Sequence, residues 1–445
     1  MWLPACGAID TSRSVVYIAE SLCALESHLQ ADFPITIRGF SCTLRRRFAM
    51  DNRHPLLRKL TWFVIVLLGA SIVLIGYSWI VVSKYRTLTV QTAPIPPDYA
   101  EFRGAVHIHT TYAEGLGTRE SILAAAKRAQ LDFIAITDHN TMACWQNERV
   151  RNAGEPLLLK GIEISTTAGH LLGIGLQKPH TEFSRNPQTA IDEVRSLDGT
   201  AVLSHPTREE QRWRDPTVER FAGMEILNMN NVLSGVPFHK KFLILPQAWI
   251  NEVGTLSSIL EVEPDAVALW DSLNSRRPTI GFCGADAHGP TFFGVPSYES
   301  VFRAASLHLV MRKGGTDSLT EDLARRLLGM GCFYIAIDGI ASSSYVDFRL
   351  VGGDTTCIGM GERCNNIPGS ARLKFDARVP EDAIIRLMRN GVPYMTFENP
   401  HFDVPLELPG AYRVEIVIPK EHNPFGNDRI WVVTNHIYTL KFPRV

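Results

Sequence analysis

Apolar and polar positions change rhythm several times along the chain. The stretch TWFVIVLLGASIVLIGYSWIVV, residues 61–82, carries no charged side chain, and roughly 20 apolar residues suffice to cross a bilayer as a helix. Trp62, Tyr77, Trp79 and Tyr85 stand near its two ends, where amphipathic rings favour the headgroup level. The run exceeds the roughly 7–15-residue apolar core of a cleaved signal peptide and lacks a small-residue cleavage site, so it predicts an uncleaved signal anchor. Residues 83–101, with Pro94, Pro96 and Pro97 close together, predict an extended linker without helix.

From Phe102 the pattern becomes that of a folded domain. RGAVHIH, TRESILAAAKRAQ, LDFIAITDHN and PLLLKGIEIST alternate short apolar runs with a helical stretch. Strand, helix and strand in this order predict βαβ units and a mainly parallel sheet or barrel. In the helical stretch Thr118 with Ser121 offers a cap, while Ile122, Leu123, Ala126 and Ala129 trace one face.

Composition narrows the class only a little. The 445 residues are 45% hydrophobic and 20% charged, with 45 Lys+Arg against 46 Asp+Glu and a net charge of -1. Such balance removes any global field that would draw nucleic acid and leaves a small-molecule substrate as the expectation. Charge matters more locally. Arg45, Arg46, Arg47, Arg53, Arg58 and Lys59 precede the apolar span, whereas Lys84 and Arg86 follow it closely. Positive flanks stay cytoplasmic, so residues 1–60 are expected inside, and everything beyond the span outside the cytoplasmic membrane of a single-pass protein. MDNRHPLLRKLTWFV also reads as a basic leader beginning at Met50, which makes residues 1–49 a candidate mis-assigned start. Beyond the span lie Cys144, Cys283, Cys332, Cys357 and Cys364. No C-x-x-C pair suggests structural zinc, and Cys357 with Cys364 either pair in an oxidising compartment or remain two thiols.

Candidate chemistry gathers where apolar runs end. His107 and His109 close the first run, Asp138 and His139 the second, and Glu163 the third; His170, His205, Asp286 and His288 follow further on. Two histidines at i and i+2 on a strand share a face, and strand ends are where α/β sheets and barrels bind ligands. Imidazole suits zinc and iron, while carboxylates also serve manganese and can bridge ions. This set exceeds the ligands of one tetrahedral ion and predicts two or three divalent ions (zinc, manganese or iron). In SHPTREEQRWR, Arg208 can grip a phosphate bidentately or be solvated surface charge. In GMEILNMNN, Asn228 can line the same mouth or belong to a simple loop.

In order, H-x-H, T-D-H-N, G-x-E, G-H, S-H-P and D-x-H-G resemble the motif set of the PHP (polymerase and histidinol phosphatase) metal-hydrolase family over about Arg103 to Asp338. The tail, closing with GAYRVEIVI and RIWVVTNHIYTL, is similar to the β-rich terminal part of the CehA/McbA-type branch. The resemblance implies an α/β fold: a distorted, seven-stranded, TIM-like β/α barrel over 102–341, after the transmembrane helix, with a β-sandwich-like C-terminal domain over 342–445. It implies that His107, His109, Glu163 and Asp286 hold one ion, with Glu163 bridging. Glu114, His139 and His288 would serve a second, and His170 with His205 a third. Asp138 would either orient a ligand histidine without binding metal itself or serve as a cap at the strand end. The usual first motif continues to an aspartate where this chain has Glu114, one methylene longer, which leaves an oxygen donor but alters its reach.

The function expected is hydrolysis of a small phosphoester by a hydroxide bridging the ions, with Glu163, Asp286 and His205 at the reacting centre. Carbamate or carboxylic ester hydrolysis on the same site is the rival reaction. A non-catalytic cell-surface binding module is the rival class.

Overall fold

The computed structural model describes residues 55–146, 151–152, 154–291, 293–312, 318–352 and 356–439. The candidate start region 1–49, the arginines at 45–47 and 53, and the Cys357 side chain lie outside the described residues. Cys364 carries a free, buried thiol that donates to the Asn366 carbonyl at 3.2 Å.

The chain divides into two units after Ile72. The apolar run forms helix α1 (Pro55–Val82), which begins at Pro55 rather than Thr61 and includes Arg58 and Lys59. Its 28 residues reach a mean hydropathy of 2.4 in their most apolar window, and about 42 Å of helix exceeds a hydrocarbon core of about 30 Å. It is long and apolar enough to cross a membrane. The proline-rich segment after it carries no helix, gives way to a strand at Tyr99 rather than at Phe102, and is pinned by backbone hydrogen bonds. Leu88 N–H donates to the Ile340 carbonyl at 2.7 Å and Gln91 N–H to Val379 at 2.8 Å.

The expected α/β barrel is present. Its seven strands are β1 (Tyr99–Ile108), β2 (Phe133–Ile136), β3 (Leu157–Ser165), β4 (His170–Ile174), β5 (Thr200–Leu203), β6 (Gly223–Asn228) and β7 (Ile280–Ala287). They neighbour one another in that order, and β1 pairs with β7 to close the ring. Every residue of β2, β5, β6 and β7 is buried, as parallel strands covered on both faces require. The parallel rule is broken once. β4 runs antiparallel to both β3 and β5, because the short turn at 166–169 leaves no length for a crossover.

Helices cover the outside: α2 (Arg119–Arg128), α3 (Pro187–Ser196), α4 (Met229–Gly235), α5 (Phe238–Ile250), α6 (Glu252–Ile259), α7 (Pro264–Asn274), α8 (Tyr298–Ala304) and α9 (Glu321–Met330). In α2 the Thr118 hydroxyl accepts from Ser121 N–H at 3.3 Å, and the expected face of Ile122, Leu123, Ala126 and Ala129 is buried. Capping of this kind is worth about 1 kcal/mol.

β1 belongs to two sheets. Its first half, Tyr99 to Gly104, pairs antiparallel with β8 (Ser306–Arg312), and its second half lies in the barrel. From β8 the sheet continues through β9 (Phe333–Ala336) into the tail. The tail strands are β10 (Val346–Gly352), β11 (Thr356–Gly359), β12 (Arg372–Ala377), β13 (Ile384–Arg389), β14 (Val392–Phe397), β15 (His401–Pro405), β16 (Ala411–Ile418), β17 (Arg429–Thr434) and β18 (Ile437–Tyr438). β17 pairs with β9, so β13, β14, β16 and β17 extend the sheet that β1 begins, while β10, β11, β12 and β15 form a second sheet. Polar contacts add to the join: Gly281 N–H on β7 donates to Asn435 Oδ1 at 2.8 Å, and buried Arg413 on β16 bonds Asp271 of α7.

Candidate metal centre

The backbone brings the donors together before their side chains do. His107, His205 and Asp286 have φ of 65°, 29° and 45°, left-handed values that cost a non-glycine residue about 1–3 kcal/mol and cluster at functional sites. The i, i+2 alternation expected for His107 and His109 is therefore not what aligns them. The left-handed turn at His107 breaks the pleat between Val106 and Ile108. His170 opens β4, and the antiparallel run of that strand puts it opposite Ser165, at the end of β3 that carries Glu163.

Glu163 is the hub. Its Oε2 lies 2.9 Å from His107 Nε2, 3.3 Å from His109 Nε2 and 3.1 Å from His139 Nε2. Its Oε1 lies 3.0 Å from His170 Nδ1, 3.2 Å from His205 Nε2 and 3.2 Å from Ser204 Oγ. Asp286 Oδ1 stands 3.6 Å from His107 and 3.5 Å from His109. Three overlapping groups thus offer converging ligand atoms: His107, His109 and Asp286; His109, His139 and Glu163; and Glu163, His170 and His205. Two expected ligands sit at the rim. Glu114, half exposed, reaches His139 Nε2 at 3.0 Å. His288 stacks on His109 with ring centres 4.4 Å apart and bonds the Asp286 carbonyl through Nδ1.

The donor set fits a divalent cation. Both nitrogens of fully buried His109, and Nδ1 of His139 and of His205, find no hydrogen-bond partner among the described residues. An unpaired buried donor costs about 1–3 kcal/mol, and His109 would forfeit both of its ring contacts unless a cation took one. Electrostatics point the same way. Burial opposes charging of His107, yet Glu163, Asp286 and Glu225 outweigh it and hold its pKa well above the usual value. Burial likewise opposes charging of His109, but Asp286 and Glu163 raise it to about 9. Burial would raise Glu163 and Asp286; the facing histidines instead hold both carboxyls below their ordinary range. Burial lowers His139, aided by His109, and burial lowers His288. This is a cluster of carboxylates in need of positive charge, supplied by protons or by metal.

Three other candidate residues find partners within the protein. The two oxygens of Asp138 accept from Thr110 N–H and Thr110 Oγ, each at 2.6 Å, and so fix the loop that leaves His109, as a cap at the strand end does. Asn228 is fully buried, donating to Glu225 at 2.9 Å and capping α4 by accepting from Asn231 N–H at 2.8 Å. Arg208 is half-buried beside His205 and pairs with Glu210 at 3.4 Å.

One residue went unread in the sequence. Glu225, inside the apolar run GMEILN, is buried in β6 and accepts from His107 Nδ1 at 2.7 Å and from His205 N–H at 2.6 Å. It fixes the ring so that Nε2 faces Glu163 and Asp286. The space is reserved for it, since a Cβ on Gly284 would stand 1.8 Å from Glu225 Oε1. A lone carboxylate in an otherwise apolar strand was the available signal.

No protein-family model matches this chain. Over 114 residues it is 28% identical to an uncharacterized protein, MJ1587, of Methanocaldococcus jannaschii; the match covers 23% of this chain and 66% of that protein, just under two-thirds of the relative's length. Among solved structures, a two-domain protein of Bacteroides vulgatus containing a predicted PHP-like metal-dependent phosphoesterase aligns with TM-score 0.36 at 14% identity, over 79% of this chain and 99% of that one. An amidohydrolase of Chromobacterium violaceum with bound sulfate and no metal aligns with TM-score 0.26 at 14% identity, over 42% of this chain and 88% of that one. Each likeness is loose in backbone and distant in sequence.

Proposed function

We propose that the protein is a membrane-anchored, metal-dependent hydrolase of phosphoesters that works with two or three divalent ions of zinc, manganese or iron. The observation that carries this reading is the division of Glu163. One oxygen faces His107, His109 and His139, and the other faces His170 and His205, the arrangement of a carboxylate shared between neighbouring ions. Ions held by these residues would supply an activated water and stabilise both the entering and the leaving oxygen of a displacement.

The protein's own groups prepare that centre. Glu225 holds His107 in one tautomer, and Asp286 and Glu163 keep negative charge buried where cations are wanted. Glu114 closes the open side of His139. Arg208, on the loop after His205, can exchange its exposed partner Glu210 for a substrate phosphate at little cost, because an exposed pair is worth only about 0–1 kcal/mol. In the net reaction the oxygen of one water bonds to phosphorus, the phosphorus–oxygen bond to the alcohol breaks, and the departing oxygen takes a proton. Length and apolarity of α1 support a single span, and the basic residues before it support a catalytic domain outside the cytoplasmic membrane.

The test is elemental analysis of the purified full chain, followed by turnover of phosphodiesters, phosphomonoesters and carbamates before and after chelation. Metal-dependent phosphoester hydrolysis supports the reading. Exclusive turnover of carbamates transfers the site to the rival reaction, and a chain inert at full metal loading is not a hydrolase of this kind.

A further inference from the structure

A second feature opens onto the donor cluster. A cavity of about 410 Å³ lies between α4, α5, α6 and the end of β7, within the roughly 300–1,000 Å³ span of small-ligand sites. It is lined by Asp286 and His288, by Lys241, and chiefly by aliphatic side chains, among them Leu233, Leu245 and Leu256. A site meant only for a small, charged phosphoester has no use for such a lining, because apolar walls offer a phosphate nothing to replace its water.

The helix that forms this wall, α5, also carries exposed apolar side chains, of which Phe238 lines the cavity as well. Phe238, Phe242 and Trp249 of α5 and neighbouring Phe293 are 69%, 53%, 59% and 70% exposed, and His239, Lys240 and Lys241 lie among them on α5. Large exposed apolar side chains mixed with basic ones mark a helix that lies in a membrane interface. The chain itself brings this helix near the point where α1 ends: Tyr85, three residues after Val82, donates to Gln247 of α5 at 3.3 Å.

Resting on the phosphoesterase reading, we propose that the substrate is an amphiphilic phosphoester of the bilayer, whose hydrocarbon chain occupies the cavity while its ester group reaches the donor cluster. The cavity supplies affinity through buried methylene groups, and α5 admits the chain from the interface. Chain length is then a specificity determinant, worth roughly three- to fourfold in kcat/KM for each methylene until the cavity is full.

The experiment uses the full chain in lipid nanodiscs, loaded with metal, and a series of alkyl p-nitrophenyl phosphodiesters from methyl to dodecyl. These share one leaving group and differ only in chain length. The expected result is a rise in kcat/KM of at least tenfold from methyl to octyl, with the octyl-to-methyl ratio collapsing towards one in Ala248→Trp, which fills the cavity. Leu245→Trp is a second filling variant on a half-buried position, and circular dichroism together with metal content reports that each variant is folded. Equal efficiency for methyl and octyl esters in the wild type overturns the proposal. So does a length dependence that survives undiminished in both folded variants. Preference for long chains presented as soluble monomers, with no turnover of the same ester within the bilayer, overturns the membrane source. A fully metallated chain that turns over none of the esters defeats the phosphoesterase reading and this proposal with it, whereas methyl ester turnover without length dependence defeats this proposal alone.

Discussion

Glu225 Oε1 lies 2.7 Å from His107 Nδ1, and both side chains are shut off from solvent. That contact decides which nitrogen of His107 faces the donor cluster, and the other oxygen of Glu225 accepts from the His205 backbone. One carboxylate therefore sets the geometry at two candidate ligand positions, one in β1 and one just after β5.

Replacing it tests the point. In Glu225→Gln one end of the side chain becomes an NH₂ group, and either His107 Nδ1–H or His205 N–H must then face a donor. Metal affinity is expected to fall about 10–100-fold, the usual consequence of losing a ligand-orienting partner, when titrated against a competing chelator. Unaltered affinity would show that the ring is held by its surroundings alone.

Glu163→Gln removes charge at the hub while nearly preserving shape. Since each oxygen faces its own histidines, elemental analysis should show fewer ions per chain, and turnover should fall by more than about 100-fold, beyond the range for an orienting residue. Full metal occupancy in this variant would exclude a shared carboxylate.

These two glutamates show what a single sequence makes legible. Glu163 stands in G-x-E among histidine motifs and at the end of an apolar run, where ligand chemistry leaves a mark. Glu225 stands alone in GMEILN, and its partner His107 is 118 positions away, a separation that no local pattern encodes. The barrel strands were readable because parallel strands buried on both faces are continuous apolar runs. The reversal of β4 was not read, although the short turn before His170 demanded it. The tail was recognised as β-rich, but its union with the barrel depends on β17 meeting β9, a register fixed only by folding. Asp138 adjoins His139 in sequence, whereas in space its oxygens bind Thr110.

A separate buried network is expected to weaken the fold as pH rises. His308 on β8 bonds Glu101 at 2.8 Å and Asp338 at 3.1 Å, stacks on Tyr334, and has Arg103 on the far side of Asp338 at 3.2 Å. Burial opposes its charge, but Asp338 and Glu101 raise its pKa to about 9. A folded pKa above the unfolded one, near 6.5, stabilises the fold fully below pH 6.5 and loses that contribution as pH climbs through about 9. The wild-type Tm should therefore decline between pH 7 and 10, and Asp338→Asn should flatten that decline while lowering Tm at neutral pH. Parallel curves for the two proteins would remove His308 from the account.

Glu114 is the place where the chain departs from the motif it resembles. Its carboxylate approaches His139 Nε2 at 3.0 Å from the open side of the cluster and is half exposed, so its length rather than its burial determines whether it reaches. Shortening it in Glu114→Asp withdraws the oxygen by one methylene without changing charge. A small ion that demands near-ideal octahedral geometry tolerates that error less than one with a pliable shell. The order of metals supporting turnover should therefore change, with magnesium affected more than manganese or zinc. The measurement strips the full chain, restores each metal in turn, and compares wild type, Glu114→Asp and Glu114→Ala on one ester. Unchanged rates and metal order in both variants would make Glu114 a rim residue that merely touches His139, and would assign the open side of that histidine to solvent.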